Sequence, residues 1–433
     1  MENIVDYYDS VTLINNAEII NVVRRSLSKI DPRLVEHGER VGYIALKLCE
    51  QSPDRADFDL SKLYVLCVLH DIGAYKTDEI DEMVKFETEA PFDHSLYGYL
   101  FLKNTTHLAD YAGAVLYHHT DFCELGAKSS SRANYAQIIH LADRADILLG
   151  TGSSLAPLSA MAGTSFNPLY VEALFKAEER TGFCERIISG EYKEEIADIE
   201  ARLDIENSEI MDYLRLLVYA IDFRSPYTVT HTADTTIIRL ETGRLLGLSE
   251  RELQLLYIGA FLHDIGKIAI SNDILEKPGK LTPEEFAAVK EHIPEGEEIL
   301  RGVLSDEICD IALRHHEKLD GSGYSRGLTS RELTFPQRIV AVADILSALS
   351  QRRSYKEPFA KEKVIGILRE MRDDGLLCRR VVDIVCEYYD VIMRKTEISH
   401  DPVKELYSNL LSEYAALRVE LDKEALEQII AMA

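Results

Sequence analysis

In the stretch LVEHGERVGYIALKLCEQ, apolar Val41, Ile44 and Leu48 follow His37 at spacings of four, three and four residues. That is the period of an amphipathic helix, and it turns the histidine toward the buried side. KLYVLCVLHDIG (62–73) and LQLLYIGAFLHDIG (253–266) are apolar around nearly the whole helical circumference. They read as buried helices whose last turn carries His-Asp, with Gly73 and Gly266 placed as C-terminal caps. LTPEEF opens another helix, with Thr282 as N-cap and Glu285 three residues on in a capping box. Alternating strands with hairpin turns are missing from the pattern, so an all-α fold is expected.

The pattern occurs twice. His37, the pair His70-Asp71, His94 in DHSLYG, the doublet His118-His119 and Asp143 are followed, in the same order, by His231, His263-Asp264, His292 in EHIPEG, His315-His316 and Asp344. Partners lie 193 (263 − 70) to 201 (344 − 143) residues apart, a drift that short loop insertions account for. Ten of the 13 histidines belong to these two sets. Core-filling histidines have no reason to recur in order between aspartates, so the repeat points to chemistry.

The repeat places two helical domains at 1–200 and 201–400, with the boundary in the charged stretch before the helix around Met211. SSLAPLSAMAGTSFNP (153–168) is the most loop-like segment but falls inside the first repeat. In the tail, 401–433, apolar residues at 403, 406, 410, 414, 417 and 421 read as a helix. It either packs on the body or pairs in a dimerising coiled coil, which would make a homodimer.

A chain of 433 residues suits two cores of this size. Its net charge of −26 argues against a binder of nucleic-acid polymers, although a bound cation can reverse the field locally for a small anion. The seven cysteines form no CxxC pair, so neither disulfides nor zinc ribbons are expected, and a reducing compartment fits. MENIVDYYDS lacks a basic region followed by an apolar run, and no stretch reads as a membrane span, so a cytoplasmic protein is expected.

Five imidazoles and two carboxylates per set are too rich in nitrogen for calcium and suit Fe, Mn, Zn, Ni or Co. A His-Asp pair at a helix end can send both groups into one cavity, the carboxylate bridging two ions. Two ions about 3.5–4 Å apart acidify a bridging water and clamp a phosphoryl group for in-line attack.

The ligand order H…HD…H…HH…D resembles that of the HD phosphohydrolase superfamily. Residues of roughly 210–390 resemble its HD-GYP branch through HDIGK, KPGKLTPEEF, HHEKLDGSGYS and FPQRIVAVADILSAL. The resemblance implies two tandem all-α HD domains and hydrolysis of a cyclic dinucleotide, cyclic di-GMP foremost, by a metal-bridging hydroxide. It implies that His231, His263, Asp264 and Asp344 hold one ion and His292, His315 and His316 a second, with Asp264 bridging and iron or manganese foremost. Lys267 would meet the substrate phosphate or the hydroxide, with Arg353, Lys356 and Tyr324 as further substrate contacts.

The sequence departs from that branch in places. Gly323-Tyr324-Ser325 lacks the proline of the GYP triplet, which bears on the loop and on a signalling partner docking there. Ser347 replaces an Asp three residues after the last ligand, and Tyr227 stands where trinuclear members carry Glu, so two ions are expected rather than three. The first repeat keeps His37, His70, Asp71, His94, His118, His119 and Asp143, so a second metal site is expected there. It has Ala74 in the place of Lys267, and Lys76 would point about 200° further round a helix. That repeat is either regulatory or a second catalytic site. Two other readings stand beside the leading one: a non-catalytic module that senses metal or nucleotide and acts through protein partners, and a phosphohydrolase of another nucleotide.

Overall fold

The structure, a computed structural model, describes residues 13–29, 36–76, 93–125, 133–203, 205–223, 228–275, 277, 279–351 and 357–432. It is all-α: among the described residues the only extended pairing is three isolated bridges. The chain divides into two compact units, one formed by 1–18 with 213–408 and the other by 19–212 with 409–433. The change from one to the other falls at Asp212-Tyr213, inside the helix Asn207–Asp222.

In the N-terminal unit the site is carried by α1 (His37–Gln51), α2 (Leu60–Leu69), α3 (Asp93–Thr105), α4 (Gly113–Leu116) and α5 (Ala133–Gly150). In the C-terminal unit the same sequence of elements returns as α6 (His231–Leu245), α7 (Glu250–Leu262), α8 (His292–Leu300), α9 (Asp306–Leu313) and α10 (Phe335–Ser350). The packing is repeated as well: α1 lies against α2 and α5, and α6 against α7 and α10. Every residue of α2 from Leu63 to Leu69 is buried, as the all-round apolar pattern requires. Each such aliphatic side chain contributes about 1.5–3 kcal/mol of transfer free energy. Capping boxes start α7 at Ser249-Glu252 and the helix Pro283–Lys290 at Thr282-Glu285.

The glycines after His-Asp do not act as caps. α2 and α7 end on His70 and His263 in right-handed helical geometry, and neither Gly73 nor Gly266 is left-handed. The chain tightens instead into the 3-10 turns Ile72–Lys76 and Ile265–Ala269, which pack on α3 and α8. A Cβ at Gly73 would lie 1.9 Å from the His94 carbonyl oxygen and 2.6 Å from Gly98 N; at Gly266 it would lie 1.9 Å from the His292 oxygen and 2.5 Å from Gly296 N. Backbone approaches backbone there, which no other residue permits. This is how the His-Asp pair is brought to the next histidine of its set.

The segment 153–168 contains the short helix Ala156–Ala160 and is not a continuous loop. The tail belongs to a single helix, α11 (Tyr389–Met432), with Pro402 inside it. Within the N-terminal unit its later part meets α3: Tyr414 stacks on Tyr97 at 4.4 Å and Glu413 pairs with Lys103 at 2.8 Å. Among the described residues no helix is long and apolar enough to cross a membrane, and all seven cysteines are free thiols.

Candidate metal centres

Five of the ten site imidazoles are oriented by one local device. His70, His118, His263, His292 and His315 each present Nδ1 to the carbonyl three residues earlier, at 2.6–2.8 Å. A carbonyl only accepts, so Nδ1 carries the hydrogen and Nε2 keeps its lone pair. The helix end therefore sets both the tautomer and the direction in which the ligand atom faces.

In the C-terminal unit the two oxygens of Asp264 face different imidazole groups. Oδ2 lies 3.2 Å from Nε2 of His231 and 3.2 Å from Nε2 of His263. Oδ1 lies 3.7 Å from His292 Nε2 and 3.9 Å from His315 Nε2. Two clusters result, His231-His263-Asp264 and His292-His315-His316, with ligand atoms inside each within 4.8 Å of one another. Asp344, expected beside His231, has its Oδ2 3.5 Å from His316 Nδ1; burial alone would raise its carboxyl, but the nearby His316, His231 and His263 hold it below the usual range.

The N-terminal unit repeats the division. Asp71 Oδ2 faces His37 at 3.8 Å and His70 at 3.3 Å, while Oδ1 faces His94 at 3.6 Å and His118 at 3.8 Å. The clusters are His37-His70-Asp143 and Asp71-His94-His118-His119. Asp143 reaches both sides, 3.3 Å from His37 and 3.9 Å from His119.

These donor sets fit divalent ions. Burial pushes His263 and His292 down to about 4 and holds His118 and His315 well below the usual histidine value, so these imidazoles are neutral ligands at physiological pH. Burial alone would raise Asp264, but the adjacent His263 and Lys267 hold its carboxyl well below the usual carboxylate range. His118 Nε2 is fully buried and accepts no hydrogen bond, a position costing about 1–3 kcal/mol unless something else takes the lone pair. A nitrogen-rich set with bridging carboxylates suits a borderline transition metal rather than calcium or magnesium.

Around the ligands the two units differ. Lys267 Nζ donates to Asp264 Oδ2 at 2.5 Å, whereas its counterpart Ala74 is buried and brings no charge. In the N-terminal unit Arg144 donates to Asp143 Oδ2 at 2.7 Å, so one oxygen of that carboxylate already faces a cation. His37 Nδ1 donates to Asp146 at 2.8 Å, and Arg40 holds the same carboxylate with bonds of 2.7 and 2.9 Å. Burial would lower His37, yet the hydrogen bonds to Asp143 and Asp146 raise it to about 10.

A cavity of about 440 Å³ opens onto the C-terminal clusters, lined by His231, Asp264, Lys267, His292, His316 and Asp344 together with the apolar Ile221, Leu281 and Phe286. Tyr324 closes one side, its ring 4.6 Å from that of His316. Its loop folds back on the histidine doublet at a distance that only glycine allows, since a Cβ at Gly323 would lie 2.5 Å from Glu317 Cα. The buried Glu317 carboxylate then accepts from the backbone N–H groups of Arg326 and Leu328 at 2.8 and 2.9 Å. Arg353, Lys356 and Tyr227 lie outside the described residues, as does the side chain of Lys76.

Sequence reasoning passed over Asp146, Arg40, Glu317 and the buried, cavity-lining Asp222. Asp146 and Arg40 stand three residues after Asp143 and His37, on the same helix faces, so their spacing was a usable signal. Glu317 and Asp222 had none: Glu317 is placed by the loop that folds over the site, and Asp222 by the packing of its helix end against Thr232.

Comparison with known proteins agrees with this arrangement. The HD domain family matches residues 34–148, and a second family, also described as HD domain, matches residues 215–377. The 3′3′-cGAMP-specific phosphodiesterase 1 of Vibrio cholerae is 29% identical over 406 residues, covering 87% of this chain and 94% of that protein. The cyclic di-GMP phosphodiesterase response regulator RpfG of Xanthomonas campestris is 37% identical over 187 residues, 42% of this chain and 50% of that protein. A cyclic di-GMP phosphodiesterase of Thermotoga maritima is 41% identical over 152 residues, 34% of this chain and 41% of that protein. A crystal structure of a cyclic GMP-AMP-specific phosphodiesterase from V. cholerae shares the fold, with a TM-score of 0.54 at 20% identity over 87% of this chain and 97% of that one.

Proposed function

The chain belongs to the HD superfamily, with two HD domains in tandem, and from that premise we propose that it is a metal-dependent phosphodiesterase hydrolysing a cyclic dinucleotide in its C-terminal domain. The observation that carries this reading is the Asp264 carboxylate, one oxygen toward each imidazole cluster, with Lys267 beside it in the 440 Å³ cavity. His231, His263 and Asp264 would hold one divalent ion; His292, His315 and His316 would hold the other, with Asp344 alongside. Such a pair of ions supplies Lewis-acid polarisation and an acidified water.

The chain's own residues supply the rest. The Lys267 ammonium lines the cavity where a scissile phosphate would sit, and its charge favours the more anionic transition state. Ile221, Leu281 and Phe286 make an apolar wall that limits water and gives a nucleobase a surface to rest on. Tyr324 beside His316 bounds the substrate on the other side.

Of the two substrates to be weighed, 3′3′-cGAMP stands beside cyclic di-GMP, because the relative matching along both domains bears that specificity. The N-terminal clusters would also take metal, but with Ala74 for Lys267 and Arg144 on Asp143 that domain is assigned a regulatory role rather than the main turnover. Incubation of purified protein with cyclic di-GMP, 3′3′-cGAMP and linear dinucleotides, with iron or manganese supplied, tests the reading by chromatography of the products. Linear product from a cyclic substrate is expected; metal-loaded protein that leaves every cyclic dinucleotide intact would refute it.

A further inference from the structure

The first histidine of each set is held in a different way. In the N-terminal unit a carboxylate does it directly: His37 Nδ1 donates to Asp146, and Arg40 clamps that carboxylate. In the C-terminal unit both helpers are changed at the corresponding positions. Three residues after Asp344 stands Ser347, and three residues after His231 stands Asp234. Ser347 Oγ is 3.5 Å from His231 Nδ1, the edge of hydrogen-bond range. The carboxylate has moved from α10 to α6, where it lies on the ligand's own helix.

We infer that Gln351 is the positioning residue that joins the two, a relay from Asp234 through the amide to His231. Gln351 Oε1 lies 3.4 Å from His231 Nδ1, and Gln351 Nε2 donates to Asp234 Oδ2. Asp234, 3% exposed, is held on its other oxygen by His400 Nε2 of α11 at 2.6 Å. The polarity allows one arrangement only. A carboxylate accepts, so the NH₂ of Gln351 must face Asp234, which leaves its carbonyl oxygen to accept from His231 Nδ1–H. His231 is thereby fixed with its Nε2 lone pair toward Asp264 and His263, by a side chain rather than by the backbone carbonyl that orients His263, His292 and His315. A neutral amide withdraws less proton density from the imidazole than a carboxylate does. His231 therefore has a neutral partner at Nδ1, where the partner of His37 carries a full charge.

The inference rests on the proposed metal-binding role of His231. Its test is a competition titration with a chromophoric chelator, following Zn²⁺ or Mn²⁺ affinity in the full-length chain with both N-terminal clusters disabled by His70→Ala, His94→Ala and His118→Ala. In that background Gln351→Leu is expected to weaken binding by ~10–100-fold, the usual cost of losing an outer hydrogen bond to a ligand histidine. Ser347→Asp, which copies the position of Asp146, is expected to restore affinity to the Gln351→Leu chain. Unchanged affinity in Gln351→Leu would overturn the inference while leaving the metal site standing. A loss that Ser347→Asp does not repair would also overturn it, by showing that Gln351 acts only through packing. A parent chain that binds no metal in this domain would overturn both the inference and the proposed function.

Discussion

Lys267 donates to Asp264 Oδ2 at 2.5 Å, the same oxygen that faces His231 and His263 at 3.2 Å each. The cation stands one turn beyond the carboxylate it serves, on the 3-10 turn Ile265–Ala269, so the backbone brings the two side chains within reach of each other. In the N-terminal copy that turn brings Ala74 to the same place.

Removing this charge should cost turnover and spare metal. Lys267→Met is expected to lower kcat on a cyclic dinucleotide by ~10²–10³, the effect of deleting one charged donor at a developing anion. Metal content, measured by mass spectrometry of the purified chain, should stay at the parent level. A matching loss of metal would reassign Lys267 to holding the site together.

The bridging aspartates separate the two domains. Asp264→Ala should abolish hydrolysis and reduce the metal bound by the C-terminal clusters, since one carboxylate serves both. Asp71→Ala should reduce metal in the N-terminal clusters and leave most of the hydrolysis. The opposite pattern in a product assay would exchange the roles of the domains.

The metal-free chain should lose stability as the pH falls from about 6.5 toward 4. Burial holds His263 and His292 at about 4, below their unfolded value of 6.5. Between those values the unfolded chain binds more protons than the folded one, so unfolding is favoured as pH drops. Each group contributes a slope of about 1.4 kcal/mol per pH unit inside that window. Urea midpoints of chelator-treated protein at pH 7, 6 and 5 would read the effect, and midpoints that do not fall would contradict it.

Adding one methyl group at the turn should be severe. Gly266→Ala places a Cβ 1.9 Å from the His292 carbonyl oxygen, a backbone atom that cannot turn aside. A loss of more than about 3 kcal/mol is expected, with the α8 histidine displaced and metal binding impaired. Gly113→Ala, where a Cβ meets nothing within 4 Å, is the control in a thermal melt. Equal melting of the two variants would show that the close approach is dispensable.

Much of this protein could be read before any coordinates. Helical periodicity and the absence of alternating runs identified an all-α chain, and the ordered recurrence of histidines and aspartates identified two sets of ligands. Those signals are local: a spacing of three or four residues states which face of a helix a side chain occupies. The His-Asp glycines show where such reasoning fails. Gly73 and Gly266 were read as caps because they follow a helix end, but their purpose is the approach of a second backbone, that of His94 and His292.

The sequence by itself determined the fold class, the repeat and the identity of the clustered side chains, because each follows from residue type and short-range spacing. Only the tertiary structure decided how the carboxylates are shared. It turned Asp71 and Asp264 so that each oxygen meets a different cluster, set Asp344 beside His316, and gave His37 a carboxylate partner where His231 has an amide. Those choices depend on oxygen and nitrogen atoms from elements 23 (94 − 71) to 120 (351 − 231) residues apart meeting within 4 Å, and distances of that kind are created by packing rather than written along the chain.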